Sequence, residues 1–142
     1  MPAELEAPTR KAKRTDPASK TAPDKLEAAV MREVGDLLAR HPRVLWAIRQ
    51  NSGSAWMPGK GGVMMPVQFY RWVRSKTKMR VTDYIGQLDN GRFFALEVKR
   101  RSWKVPIGDR ENEQLEFLLT VGYSGGIGSF VTSAEQVMEL FK

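Results

Sequence analysis

Two apolar segments that lie only three residues apart constrain the fold more than any other feature of the chain. Residues 82–88 (TDYIGQL) and 92–99 (RFFALEVK) contain many β-branched and aromatic residues, and Asp89, Asn90 and Gly91 separate them. This pattern predicts two antiparallel strands joined by a tight turn. We therefore expect a sheet built around this hairpin.

The length of the turn decides which side chains share a face of the hairpin. A three-residue loop with Gly91 in the left-handed conformation places Asp83 directly opposite Glu97. A two-residue turn at Asn90 and Gly91 places the two carboxylates on opposite faces, because a one-residue slip inverts every side chain. Both turns suit the sequence. The charges favour the first, and we predict the three-residue turn.

Strand alternation places two opposite charges on one face of the second strand. Glu97 and Lys99 point the same way, at the end of a segment that is otherwise apolar. Burying both charges is costly unless they are paired or bound to a metal. A structural ion pair is one interpretation. Asp83 at the same end of the hairpin favours a site for a hard divalent cation, since two carboxylates and a lysine then converge.

The other segments predict helices and strands around the hairpin. Residues 1–22 are rich in Pro, Ala, Lys and Thr and predict a disordered basic tail, so that residues 23–142 form one domain. The predicted elements are a helix at 24–40 with Asp24 as N-cap, a buried strand at 44–49, an irregular connection at 50–66, a helical turn at 67–74, a helix at 109–121, a strand at 126–132 and a helix at 134–141 capped by Ser133. The order α-β-β-β-α-β-α predicts an α/β fold with a mixed central sheet flanked by helices.

Composition limits the cofactor and the compartment. The chain has no cysteine and one histidine, His41, which excludes thiolate zinc sites and histidine clusters, so any metal must bind oxygen ligands. No apolar run is long enough to span a bilayer, and no signal peptide is evident. We therefore expect a cytoplasmic protein.

Positive charge is concentrated in one stretch. The net charge is +7, and residues 37–82 contain no Asp or Glu. Such a stretch favours a polyanionic partner, although a solvated basic face is the alternative. The side chains that we predict to contact DNA are Arg49, Arg71, Arg74, Lys76, Lys78 and Arg80.

Several short motifs together resemble the VRR-Nuc family of the PD-(D/E)XK nuclease superfamily. They are E-x-x-V at 27–30, R-Q-N-S-G at 49–53, T-D-Y-I-G at 82–86, L-E-V-K at 96–99, Gln114, and the closing G-I-G-S-F-V-T-S-A-E-Q segment. The chain departs from the family pattern at Val81 and Thr82 and in a longer basic insertion before them. The resemblance implies a restriction-endonuclease-like core in which Asp83, Glu97 and the Val98 carbonyl hold Mg²⁺ or Mn²⁺.

The resemblance also suggests roles for three further side chains. Lys99 would position the attacking water or stabilise charge on the phosphate. Glu27, on the apolar face of the first helix, would be a further metal ligand or water holder, unless it forms a capping box with Asp24. Gln114 shares a helix face with Leu118 and would support catalysis, unless it is a surface amide.

Standalone members of this family resemble Holliday junction resolvases that act as homodimers, as is typical of phage and bacterial proteins. The sequence therefore predicts a metal-dependent, structure-specific DNA endonuclease that cuts branched DNA as a homodimer, without a membrane partner. The alternative is a non-catalytic basic nucleic-acid-binding module in which Glu97 and Lys99 form only a structural pair.

Overall fold

The computed structural model describes residues 17–50, 54–68, 70–104 and 108–142. Its elements, in chain order, are α1 Pro17–Arg40, β1 Val44–Arg49, β2 Ser54–Pro58, β3 Met64–Gln68, β4 Tyr84–Leu88, β5 Phe93–Val98, α2 Asp109–Tyr123, β6 Ile127–Val131 and α3 Ala134–Leu140. A single 3₁₀ turn, Lys60–Gly62, connects β2 and β3. Within this part of the chain no helix is long and apolar enough to cross a membrane.

Four strands form the main sheet, in the order β1-β4-β5-β6. β4 pairs antiparallel with both β1 and β5, and β6 pairs parallel with β5 after the crossover through α2. The predicted α/β fold with a mixed central sheet is therefore confirmed. β1 is an edge strand rather than the buried strand that its composition predicted, and it leaves Leu45, Trp46 and Ile48 substantially exposed.

The turn between β4 and β5 has the predicted length of three residues. The Leu88 amide donates to the Arg92 carbonyl at 2.9 Å, and the Gly91 amide donates to the Leu88 carbonyl at 2.9 Å. Gly91 has a φ of 89°, which glycine adopts without the steric cost of a Cβ. The resulting register pairs Tyr84 with Leu96 and continues to Asp83 opposite Glu97.

The two faces of the sheet carry separate apolar clusters. α1 and α3 cover one face, where Val34 and Phe141 join the core around Phe94 and Leu96. α2 covers the other face, where Leu118 and neighbouring apolar side chains pack against Ala95. Because side chains alternate along β5, Glu97 lies on the same face as Ala95, towards α2.

Glycine allows α2 to approach the sheet closely. A Cβ added at Gly128 in β6 would overlap the Leu118 carbonyl oxygen. The α2 backbone therefore rests almost directly on β6. This close contact fixes how far the side chains of α2 stand from those of β5.

The first helix begins earlier than the sequence predicted. It begins at Pro17 rather than Asp24, so residues 17–22 of the predicted tail are helical and Asp24 is not the N-cap. Proline is tolerated in the first turn of a helix, where its missing N–H would have no intrahelical partner. The remainder of the predicted tail, residues 1–16, lies outside the described residues.

The connection between β1 and β4 also differs from the prediction. Within residues 50–66, which we predicted to be irregular, β2 begins an antiparallel hairpin that β3 completes at Gln68. Gly61 and Gly62 have φ values of 70° and 78°, so they turn the chain back instead of interrupting regular structure. The helical turn predicted at 67–74 is wrong, since none of the described residues there is helical.

The last helix is capped as predicted. The Ser133 hydroxyl accepts from the Gln136 amide at 3.2 Å, which satisfies one free donor of the first turn. The Gln136 side chain reaches back to the Thr132 amide at 2.7 Å, and the Ala134 amide donates to Glu33 of α1. α1 and α3 are thereby joined on one side of the sheet.

Candidate active site

Asp83 and Glu97 meet at the end of the β4–β5 hairpin. The Val98 amide donates to Asp83 Oδ2 at 2.8 Å, and the Asp83 amide donates to Glu97 Oε1 at 3.2 Å. Each carboxylate is thus fixed by the backbone of the opposing segment. The prediction that they share one face and one end of the hairpin is confirmed.

The Val98 carbonyl lies on the same side as Asp83. In an antiparallel ladder the N–H and C=O of one residue point to the same neighbouring strand. Because the Val98 amide is bonded to Asp83, its carbonyl is directed towards that segment as well. Three oxygen-bearing groups therefore face the same end of the hairpin.

Burial perturbs the protonation of both carboxyl groups. Glu97 is only 6% exposed, and burial, followed by the nearby charge of Asp83, raises its pKa to about 8. Burial also raises the pKa of Asp83, although the hydrogen bond from Val98 acts against this. A buried glutamate whose ionisation is opposed by burial and by a neighbouring carboxylate forms a site that a cation would stabilise.

Lys99 contributes a partly buried positive charge to the site. Its Nζ atom lies 3.7 Å from Glu97 Oε2 and 3.3 Å from Glu111 Oε2, and 5.8 Å from the centre of the Phe130 ring. The ion pair that we considered as the structural alternative is therefore present. Lys99 pairs with two carboxylates, Glu97 of β5 and Glu111 of α2, rather than with Glu97 alone.

Gln114 is buried, so the surface-amide alternative is wrong. Its side chain is 4% exposed, and its Oε1 atom accepts no hydrogen bond from any described residue. One turn later Leu118 packs against Ala95, and one turn earlier Glu111 contacts Lys99. Gln114 therefore lies at the level of Glu97, and its buried oxygen lacks a partner that a bound ligand would supply.

Glu27 does not face the core, contrary to prediction. It is exposed and lines a surface depression together with Arg49 and Arg32. Residues 26–28 of α1 are all exposed, with Leu26 at 45%, so this stretch of the helix does not pack into the core. Burial raises the pKa of Asp83, and the positive charge of Arg49, which lines the depression, acts against this rise, so the depression is electrostatically linked to the carboxylate pair.

The predicted DNA contacts fall into two groups. Arg49, Arg71, Arg74, Lys76 and Lys78 are exposed. Arg80 is less exposed and lies 3.4 Å from Glu113, to which its backbone is also bonded. Arg80 thus anchors its segment to α2, a role that the sequence did not suggest.

Sequence reasoning missed Glu111. Its Oε1 atom accepts from the Gly108 amide at 2.9 Å, which lowers the pKa of Glu111, while its other oxygen contacts Lys99. A Glu three residues after a helix N-cap is the signal that would have found it. Among the described residues no group of three or more His, Cys, Asp or Glu side chains could hold a metal ion. The predicted site has only two such side chains, and its other donors are carbonyl or amide oxygens.

Comparison with known proteins gives no match to any family model, curated protein or solved structure. The resemblance to VRR-Nuc nucleases therefore rests on the short motifs described above. The function must be argued from the chemistry of the site itself.

Proposed function

We propose that this protein is a metal-dependent endodeoxyribonuclease with a restriction-endonuclease-like core. The observation that carries the proposal is the buried Glu97 next to the partly buried Asp83 and beside Lys99, on a chain with a basic surface. A glutamate whose ionisation is opposed by burial and by a neighbouring carboxylate is unfavourable in a purely structural role. Metal-dependent phosphodiester hydrolysis can use such a pair, since it holds a divalent cation against the phosphate.

The donor set fits Mg²⁺ or Mn²⁺. Both ions prefer oxygen ligands, and Asp83, Glu97 and the Val98 carbonyl supply them. Gln114 Oε1 is a further oxygen donor whose hydrogen-bonding capacity is unused within the described residues. When bound, the ion would lower the pKa of its water and neutralise charge on the phosphate.

Lys99 would act on the substrate, and Glu111 would position Lys99. The Lys99 ammonium is a compact charge that can orient the attacking water or stabilise the extra charge on the phosphate. Glu111 draws Lys99 towards α2, since it contacts Nζ at 3.3 Å. Glu111 is therefore a positioning residue, and its bond to the Gly108 amide fixes it in turn.

The substrate that we propose is branched DNA, with a Holliday junction as the first candidate and a homodimer as the active form. A junction presents two strands for symmetric cutting, which a two-fold dimer matches. The exposed cations Arg49, Arg71, Arg74, Lys76 and Lys78 supply attraction to phosphates.

One observation favours a second candidate function. Lys99 pairs with both Glu97 and Glu111, so its charge is balanced by carboxylates of the chain itself. A non-catalytic basic module that binds nucleic acid would use this network only to stabilise its fold. Cleavage separates the two functions.

The direct test is a cleavage assay on labelled junction, flap, duplex and single-stranded DNA, with Mg²⁺, with Mn²⁺ and with EDTA. We expect metal-dependent cutting that is fastest on a branched substrate. Binding without cleavage under every metal condition would support the non-catalytic module instead.

Gln114 offers a separate test, because a polar side chain buried without a partner lowers stability. We expect Gln114→Leu to raise the free energy of unfolding in EDTA by about 1 kcal/mol and to lower cleavage by about 10-fold or more. Urea unfolding and single-turnover cleavage measure the two effects. Gln136→Leu is a useful contrast, since Gln136 bonds the Thr132 amide and its loss should only destabilise. If Gln114→Leu destabilised the protein and left cleavage intact, Gln114 would have a structural role.

A further inference from the structure

Residues 71–78, which we call the basic loop, form the most strongly charged exposed segment that the structure describes. Every residue in it is exposed, and Val73 is completely so. The loop contains four cations and no acid: Arg71, Arg74, Lys76 and Lys78. Lys78 lies 3.4 Å from Glu113, whereas within the described residues the other three form no ion pair.

Two hydrogen bonds close the base of this loop, and together they form what we call the clasp. Trp72 Nε1 donates to the Met79 carbonyl at 3.0 Å, and the Val81 amide donates to the Tyr70 hydroxyl at 3.2 Å. The Trp72 ring also packs against Tyr70 and against Phe117 of α2, with ring centres 5.9 and 6.0 Å apart. These contacts close the base of the loop and hold it against α2.

The loop is also fixed relative to the candidate active site. The Arg80 amide donates to the Glu113 carbonyl at 3.0 Å, and the Glu113 carboxylate contacts both Arg80 and Lys78 at 3.4 Å. Glu113 immediately precedes Gln114, whose side chain lies at the level of Glu97. A ligand held by the loop would be positioned with respect to the carboxylate pair.

The chemistry of the loop indicates which part of a nucleic acid it would hold. Its aromatic residue, Trp72, is 36% exposed but already packs its ring against Tyr70 and Phe117 and donates its N–H to Met79, so an unpaired base that stacked on it would compete with the clasp. Its exposed functional groups are ammonium and guanidinium ions, which bind phosphates irrespective of sequence. The charge density of phosphates is highest along a duplex.

We propose that the basic loop is a preformed cradle for the sugar-phosphate backbone of duplex DNA, held in shape by the clasp and oriented by Glu113. This inference deepens the proposed nuclease function and rests on it for the identity of the polyanion. In this proposal the loop binds a double-stranded arm of the DNA beside the cleavage point and does not bind the strand that is cut.

The test measures binding of the full chain in EDTA, where no metal-dependent cleavage occurs, to a labelled duplex and to a single strand of equal length at several salt concentrations. We expect tighter binding to the duplex. Arg74→Ala with Lys76→Ala should weaken duplex binding by about 10-fold or more and reduce the salt slope by up to about 2. The matched control is Arg40→Ala with Lys142→Ala, which removes the same charge from α1 and the C-terminus and should change both values little.

A second pair of variants tests the clasp without changing any charge. Tyr70→Phe with Trp72→Phe keeps an aromatic ring at both positions but removes the two hydrogen bonds, and it should weaken duplex binding by about 5-fold, because the loop must then be ordered on binding. Tyr70→Phe alone, the milder change, should show part of this loss while the melting temperature stays close to wild type.

Three results would overturn the proposal: equal weakening by the two charge-matched pairs, unchanged binding by both clasp variants, or tighter binding to the single strand. This binding test does not depend on cleavage. A protein that binds duplex as expected here but cuts no DNA in the cleavage assay would therefore refute the nuclease function alone.

Discussion

Replacement of Glu97 by Gln is expected to lower the rate of the proposed DNA cleavage by about 10³-fold or more, while the protein should remain folded and bind DNA with nearly unchanged affinity. The physical reason is that the amide cannot supply the negative charge that a divalent cation needs, although it retains the shape of the side chain. Asp83→Asn should have a similar effect. Single-turnover cleavage and equilibrium binding in EDTA measure the two quantities separately.

Lys99→Ala should also abolish cleavage, because it removes the positive charge that orients the attacking water or stabilises the charge on the phosphate. A control is Glu135→Gln on the exposed surface of α3, which should leave the rate unchanged. Full activity of any one of the three variants at Asp83, Glu97 or Lys99 would remove that residue from the mechanism. Loss of DNA binding in parallel with loss of cleavage would indicate a structural role.

The metal-free protein should become less stable as the pH rises from about 4.5 to about 8. Glu97 ionises near pH 4.5 when unfolded, but burial and the charge of Asp83 raise its folded pKa to about 8. Between these two pH values the folded state holds a proton on Glu97 that the unfolded state has lost. The stabilising effect of this proton is therefore complete below pH 4.5 and is lost as the pH rises past about 8. The raised pKa of Asp83 acts in the same direction. The lowered pKa of Glu111 acts at lower pH, outside this window.

Thermal unfolding in EDTA between pH 5 and pH 9 measures this effect, and we expect the melting temperature to fall by about 5 °C or more. In Glu97→Gln the fall should be much smaller, since the carboxyl group with the pKa of about 8 is gone and only Asp83 remains to ionise. Mg²⁺ should raise the melting temperature more at pH 8 than at pH 5, because the metal and the proton compete for the same oxygens. A wild-type profile as flat as that of Glu97→Gln would contradict the burial of an ionisable pair.

The central hairpin was predictable because its signals are local. Asp89, Asn90 and Gly91 specify a turn, and the need to bring Asp83 and Glu97 together selected the correct length. The burial of Gln114 was also foreseen as one of two outcomes, from its helical spacing to Leu118. These features depend on residues that are near one another in the sequence.

Other features were not predictable because they depend on where distant segments end. Glu27 is exposed because residues 26–28 of α1 do not pack into the core, and the apolar pattern of the helix alone does not show where its contact with the sheet begins. The glycines at 61 and 62 suit either a disordered connection or a hairpin turn. Arg80 resembled its exposed neighbours in sequence, and only its contact with Glu113 distinguishes it.

The absence of a side chain at Gly128 has a consequence for how this centre can change in evolution. The centre is divided between two parts of the fold: the sheet carries Asp83 and Glu97 on its β4–β5 hairpin, and α2 carries Glu111 and Gln114. At Gly128 in β6 the sheet and α2 are already as close as two backbones can lie, since a Cβ there would overlap the Leu118 carbonyl. Any other residue at this position can only widen the gap between the sheet and α2. A tighter arrangement of the centre must therefore come from the side chains, because the backbone spacing at this point is at its minimum.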